Sequence, residues 1–291
     1  MSELKYESIY KLELKDEVSV LVDVRSIRPD KFAGKTLNEI KDIRVFEGSF
    51  KRRLEDLFDI EGPSKACDNA SLIKVVISGG RSLSKLMYLG FKMHGGCIEV
   101  LGDVGPLAGY KMVDGRLIIH GSARAWLGAK MRGGLIEVYK SASDFIGSKL
   151  QGEKPGKGMR GGMIVVHGNA GSNIGVGMKG GVIIIEGSAG NLVGYEMAGG
   201  SILVMNGCES FYGARMTGGK IVLNGRVGSI IPSLYIDDIV SKAKVRDYIL
   251  EKEFALFIGD VLVNGVGRVY ISYDDNIDLL TRYIELLPGV E

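Results

Sequence analysis

The chain has 291 residues, of which 45% are hydrophobic and 25% charged, and its formal charge is +2. That is enough apolar material for one large core or two small ones, and too little basic excess for the clustered cationic surface that nucleic acid requires. Aliphatic runs such as Val182 to Ile185 fall far below the roughly 20 residues that span a bilayer.

The first segment, MSELKYESIYKLELKDE, is charged throughout and has no apolar signal core, so a cytoplasmic protein is expected. Residues 1–70 read as a small N-terminal cap, with an apolar run from Ser19 to Val24 and an amphipathic stretch from Phe50 to Phe58. Ser71 to Gly80 reads as an irregular first coil.

Glycine numbers 43, about twice its usual share of roughly 7%, and the excess is periodic. Methionine stands at 93, 112 and 131, leucine at 150, then methionine at 159, 178, 197 and 216. Each step is 19 residues, except that the count restarts at Met159, nine residues after Leu150. Seven of the eleven methionines share this column. Three residues after each of them stands glycine (96, 115, 134, 162, 181, 200, 219), and five after, Ile or Leu (Ile98, Leu117, Ile136, Ile164, Ile183, Ile202, Ile221). Seven after is aliphatic, eleven after is mostly small (Val104, Ala123, Ala142, Ala170, Ala189, Cys208, Val227), and a second fixed glycine falls sixteen after. Nine after is usually glycine, replaced by Lys140 and Asn206; a left-handed turn there suits Asn but not Lys.

Apolar columns two residues apart share one face of a strand. Strands this short cannot bury that face alone, so successive coils must stack. The expected fold is all-β: a right-handed parallel β-helix of seven 19-residue coils, at residues 71–231, with caps at both ends. Strand spacing makes it a rod on the order of 33 Å long. Six-residue multiples, the leucine-rich signature and propeller-length repeats are all absent.

One column points outward: Glu99, Ile118, Glu137, Val165, Ile184, Leu203, Val222. It loses its charges after the insertion at 151–158, and Leu135, Met163 and Val182 flank it. The result is an apolar strip of Leu135, Met163, Val165, Val182, Ile184, Leu203 and Val222. Either the chain's own C-terminal helix covers it or it is a partner interface. That helix is expected in residues 232–291, from the spacing of Leu234, Ile239, Val240, Val245, Ile249 and Leu250. A last β pair (Leu256 to Val263, Val266 to Ser272) is expected after it.

Residues for catalysis are scarce. Cys67, Cys97 and Cys208 form no CxxC pair and read as idle thiols. His120 and His167 share a column two coils apart, roughly 10 Å, too far for one metal; His94 sits at a turn. Glu99 and Glu137 are equally separated, beyond the usual spacing of glycosidase carboxylates. GSAGNLVG lacks the Lys-Ser/Thr of a phosphate loop. Asp144, Glu153 and Lys154 near the insertion read as a solvated loop. No catalytic, cofactor or metal residue is assigned.

The coil spelling GG-x-I-x-V-x-G-x-A-G resembles the β-helix module of glutamate synthase large subunits and of the C subunit of formylmethanofuran dehydrogenase. Two stretches favour the latter. SASDFIGSKLQGEKPGKGMRGGMIVVHGNAG, Ser141 to Gly171, is similar to its interrupted repeat, and IRPDKFAGKTLNEIKDI, Ile27 to Ile43, to its N-terminal segment. The resemblance implies a non-catalytic scaffold subunit of a complex that interconverts carbon dioxide plus methanofuran and formylmethanofuran. It also implies amidohydrolase and pterin subunits as partners, with zinc and a molybdenum- or tungsten-pterin held there rather than in this chain. The alternative is a free-standing glutamate synthase β-helix domain that supports an ammonia-channelling enzyme.

Overall fold

The computed structural model describes residues 5–15 and 17–285. Strand β1 (Ser8–Leu14) is followed by the short β2 (Val22–Asp23) and helix α1 (Pro29–Phe32). Helix α2 (Leu37–Lys41), the hairpin β3 (Arg44–Glu47) and β4 (Phe50–Arg53), helix α3 (Leu54–Leu57) and β5 (Phe58–Glu61) complete the N-terminal part. Next come β6 (Ile73–Ser78) and β7 (Leu86–Met87). The repeats then supply one strand each: β8 (His94–Val100), β9 (Asp114–Ile119), β10 (Leu135–Val138), β11 (Arg160–Val166), β12 (Gly180–Ile185), β13 (Ala198–Val204) and β14 (Gly218–Leu223). The C-terminal part holds β15 (Tyr235–Val240), β16 (Ala243–Val245), β17 (Tyr248–Leu250), β18 (Phe254–Gly259), β19 (Gly267–Ser272) and helix α4 (Ile277–Ile284).

The protein is mostly β, organised around one large sheet in the order β15-β18-β19-β14-β13-β12-β11-β10-β9-β8-β6-β1-β5. From β1 through β6 and β8–β14 to β19 every neighbour is parallel. The register sets like residues side by side: Ile164 opposite Ile183, and Ile183 opposite Ile202. Bridges between Val104, Ala123, Ala142 and Ala170, and again between Ala189, Cys208 and Val227, repeat the offset in the small-residue column. The three inward columns, including all seven methionines, are fully buried. Burying about 1.5–3 kcal/mol of side chain at each inward position is what holds strands of four to seven residues together. Leu150 is only half-buried. Met159 takes its place, its amide donating to the Gly147 carbonyl at 2.8 Å, so residues between them loop out without breaking the stack.

Two glycine columns are required by the stacking. Gly128 has φ +59°, and an added Cβ would lie 2.4 Å from Ile164 Cδ1; at Gly181, φ +90°, it would lie 2.7 Å from Met159 Cε. The column nine after each methionine behaves differently from its expectation. Gly121 and Gly168 are not left-handed; a Cβ there would meet backbone of the preceding repeat, 2.4 Å from the Gly102 carbonyl carbon and 2.8 Å from the Lys140 oxygen. Close approach selects glycine here, and Lys140 carries no φ penalty. Left-handed backbone falls instead on a column the sequence did not mark: Leu107, Trp126, Phe145, Asn173, Leu192 and Phe211, with φ of 62–64°. Trp126 and Phe145 stack there at 4.9 Å.

The N-terminal part is more than an appendage, because β1 extends the parallel ladder beside β6. Pro29 opens α1, and buried Phe32 meets Tyr10 of β1 edge to face at 5.5 Å. Thr36 caps α2, accepting from the Glu39 amide while the Glu39 carboxylate accepts from the Thr36 amide at 2.8 Å. At the other end, residues 234–256 form no helix. They form β15–β17 and the start of β18, with β15 antiparallel on β18 and β18 antiparallel on β19. The stretch is rich in β-branched and aromatic residues (Tyr235, Ile236, Ile239, Val240, Val245, Tyr248), which favour strands once a sheet edge is offered. Pairing of β18 with β19 matches the expected last β pair. Among the described residues no helix is long and apolar enough to cross a membrane.

Candidate functional site

The outward face of β10–β14 carries the apolar strip. Val165 and Val182 are 7% exposed, and Ile184, Leu203 and Val222 are fully buried. Ala243 and Val245 of β16, Phe254 of β18 and the flanking Val240, Tyr248 and Leu250 lie over them, and Tyr270 of β19 prolongs the strip beside Val222. The cover comes from the chain itself, as strands rather than the expected helix. Alternation in β16 turns Ala243 and Val245 inward, and the β16–β17 turn is made by Arg246, left-handed at φ +51°. Only Leu135 and Met163, half-buried, stand at the rim. As a partner interface the other five residues are therefore closed.

Beside this cover the face is polar. Tyr139 lies between His120 and His167, with ring centroids 5.2 and 5.1 Å apart. That places the two imidazoles on either side of one aromatic ring, consistent with their two-repeat spacing. His120 meets Glu99 at 2.8 Å, and Glu99 also takes Lys74 at 2.6 Å. His167 is held between Glu186 at 2.8 Å and Glu137 at 3.2 Å, and Tyr248 of the cover approaches Glu186 at 3.5 Å. Partial burial alone would lower the His167 pKa. Hydrogen bonds to Glu186 and Glu137, with their charges, outweigh burial and hold it above the usual imidazole value. These groups are pairwise satisfied, and among the described residues no His, Cys, Asp or Glu cluster is arranged to hold a metal.

The remaining sequence candidates are dispersed. Cys97 and Cys208 are buried, which raises both thiols and keeps them protonated and unreactive; Cys67 is half-buried. The His94 amide donates to Asp30 at 3.3 Å. Asp144 accepts the Ser172 amide at 2.7 Å, a structural tie between successive repeats. Glu153 pins the insertion: its carboxylate accepts from Lys130 and from the Leu150 amide at 3.0 Å, and its carbonyl accepts from Lys149. Lys154 is exposed. Sequence reasoning missed the His–Tyr–His stack, although the column eight after each methionine spells it as His120, Tyr139, His167.

The fold and this face define a β-rich protein built on a long parallel ladder, with a row of ion pairs beside a self-covered apolar strip. No protein-family model matches the chain. Curated relatives do. The C subunit of the tungsten-containing formylmethanofuran dehydrogenase 2 of Methanothermobacter marburgensis is 36% identical over 95 residues, 33% of this chain and 34% of the relative. The C subunit of the molybdenum-containing formylmethanofuran dehydrogenase 1 of the same organism is 35% identical over 91 residues, 31% of this chain and 21% of the relative. The chain thus matches about a third or less of the length of these relatives. The resemblance to the C subunit of formylmethanofuran dehydrogenase is borne out by them. In fold, the chain is similar to a chain in the X-ray crystal structure of the formyltransferase/hydrolase complex from Methylorubrum extorquens in complex with methylofuran. The TM-score is 0.73 at 23% identity, covering 90% of this chain and 99% of that one.

Proposed function

We propose that this protein is a non-catalytic scaffold subunit of a formylmethanofuran dehydrogenase-like complex in one-carbon metabolism, and that its ladder winds as a right-handed parallel β-helix of seven coils. The observation that carries the reading is the sequence match to the C subunits of both the tungsten and the molybdenum enzyme. The recurring 19-residue register and the second ladder of small-residue bridges support the winding. In this reading the amidohydrolase and pterin subunits are the partners, and zinc and the molybdenum- or tungsten-pterin belong to them.

In this reading the chain divides into an N-terminal cap over residues 1–70, the β-helix over 71–231 and a C-terminal cap over 232–291, with β1 and β19 of the caps prolonging the parallel ladder at either end. Since the strip is closed, partners bind the apolar groups left open. Those include Leu135 and Met163 at the rim, Val20, Leu21, Phe46 and Phe50 around the N-terminal hairpin, and Leu262 and Val266 between β18 and β19. Isolating the complex through a tag on this chain tests the proposal. Co-purified amidohydrolase and pterin subunits with tungsten or molybdenum are expected. Flavin and glutamine-amidotransferase partners, or a chain recovered alone, would overturn it.

A further inference from the structure

The insertion that interrupts the repeat also builds a cleft of about 180 Å³, lined by Lys111, Lys130, Arg132, Lys157, Gly158 and Arg160. Five of these six residues are cationic and none is acidic. The repeat brings them together in two columns. Lys111 and Lys130 hold equivalent positions one repeat apart, both left-handed at φ +57°. Arg132 and Arg160 follow their methionines in the same way, their amides bonded to the Met112 and Met131 carbonyls at 2.7 and 2.8 Å. Strand spacing keeps such neighbours about 5 Å apart at the backbone. Lys157 is delivered from the loop itself.

Counter-charge is short. Glu153 takes Lys130, and Glu196 takes Lys149 at 3.0 Å. Among the described residues, Lys111, Arg132, Lys157 and Arg160 form no ion pair; Lys111 rests over the Tyr110 ring at 5.0 Å, which leaves its charge uncancelled. The stacking does not demand lysine here. The same left-handed position holds Lys92 one repeat before and Gly177, Glu196 and Arg215 further along, so the fold leaves its charge free to vary. Five cations gathered in one cleft, with Glu153 on Lys130 as the carboxylate beside them, leave a net positive field that an anion entering the cleft would neutralise. Arginine forks match the planar or tetrahedral oxygens of carboxylates and phosphates.

We propose that this cleft binds a small multivalent anion, a molecule bearing phosphate or several carboxylates. Glu153 agrees with such a field. Burial would raise its pKa, but hydrogen bonds from Lys130 and the Leu150 amide, with the charges of Lys130 and Lys111, hold it below the usual carboxylate range.

Calorimetric titration of the full chain with inorganic pyrophosphate and, separately, with citrate tests the site. One-to-one binding is expected at low ionic strength, weakening as salt rises. Arg160→Ala should weaken it by about tenfold or more, and Arg132→Ala with Arg160→Ala should abolish it. Both arginines are exposed, and circular dichroism checks that the variants fold. Lys242→Ala, outside the cleft, should leave it unchanged. A response to pyrophosphate alone assigns a phosphoryl ligand, and to citrate alone a polycarboxylate. Binding to neither, or binding unchanged in the double arginine variant, overturns the proposal.

Discussion

Gly128 and Gly152 separate two reasons for which a repeat protein uses glycine. Both are left-handed, at φ +59° and +78°. An alanine methyl at Gly128 would lie 2.4 Å from Ile164 Cδ1 and 3.1 Å from Ile136 Cδ1, whereas at Gly152, in the insertion, nothing lies within 4 Å. Gly152→Ala should therefore lose only the conformational term, about 1–2 kcal/mol. Gly128→Ala adds overpacking against fully buried isoleucines, about 1–3 kcal/mol more. With a urea slope of about 2 kcal/mol per M, the extra loss separates the two midpoints by about 0.5–1.5 M. Urea unfolding followed by far-ultraviolet circular dichroism measures both. Equal midpoints for the two variants would show that interior crowding does not select this glycine column, and the stacked isoleucines would lose their role in fixing it.

Phe254→Ala removes a fully buried ring from the cluster that includes the strip and should cost about 3–5 kcal/mol by the same urea assay, with new binding of a hydrophobic dye; an unchanged midpoint would mean that β18 does not help seal the strip. His167 should titrate above the ordinary value of about 6.5 by nuclear magnetic resonance, and Glu186→Gln should bring it down. Its stabilising contribution is complete below about pH 6.5 and is lost as pH rises through the raised folded value. Glu153 has the opposite sign: its contribution is present above about pH 4.3 and is lost as pH falls through its lowered folded value. Glu153→Gln should speed proteolytic nicking within 151–158 at neutral pH, read by mass spectrometry of the fragments; an unchanged rate would mean that Glu153 does not hold the loop.

The parallel ladder is legible in the sequence because its side chains repeat at one spacing and the restart at Met159 is visible as a broken count. Ile, Met and Gly columns each report a local requirement that any stack of this period imposes. The C-terminal region misleads for a physical reason. A helical spacing of Leu234, Ile239, Val240 and Val245 says nothing about an available edge, and the edge of β19, taken by β18 and then β15, decides the outcome. The choice between the two outward readings of the strip turns on which residues reach it from far along the chain, as Ala243 and Val245 of β16 do; no local pattern encodes that. The left-handed column of Trp126, Phe145 and Phe211 is hidden because bulky residues are not the ones expected there.

The two edges of the large sheet bear on how such a chain could assemble. A parallel stack ends in unpaired backbone that invites another copy. Here antiparallel strands close both sides, β5 on β1 and β15 on β18. Each terminal strand is short and carries exposed acids, Asp59 and Glu61 on β5, Asp237 and Asp238 on β15. The register of β15 also shifts between Ile236 and Asp238. Acidic edges meeting acidic edges repel, and an irregular edge cannot continue a ladder. Growth by strand addition is thus opposed at both ends, so in the proposed complex a partner would meet side-chain surfaces such as Val20, Leu21, Phe46 and Phe50 rather than a free strand edge.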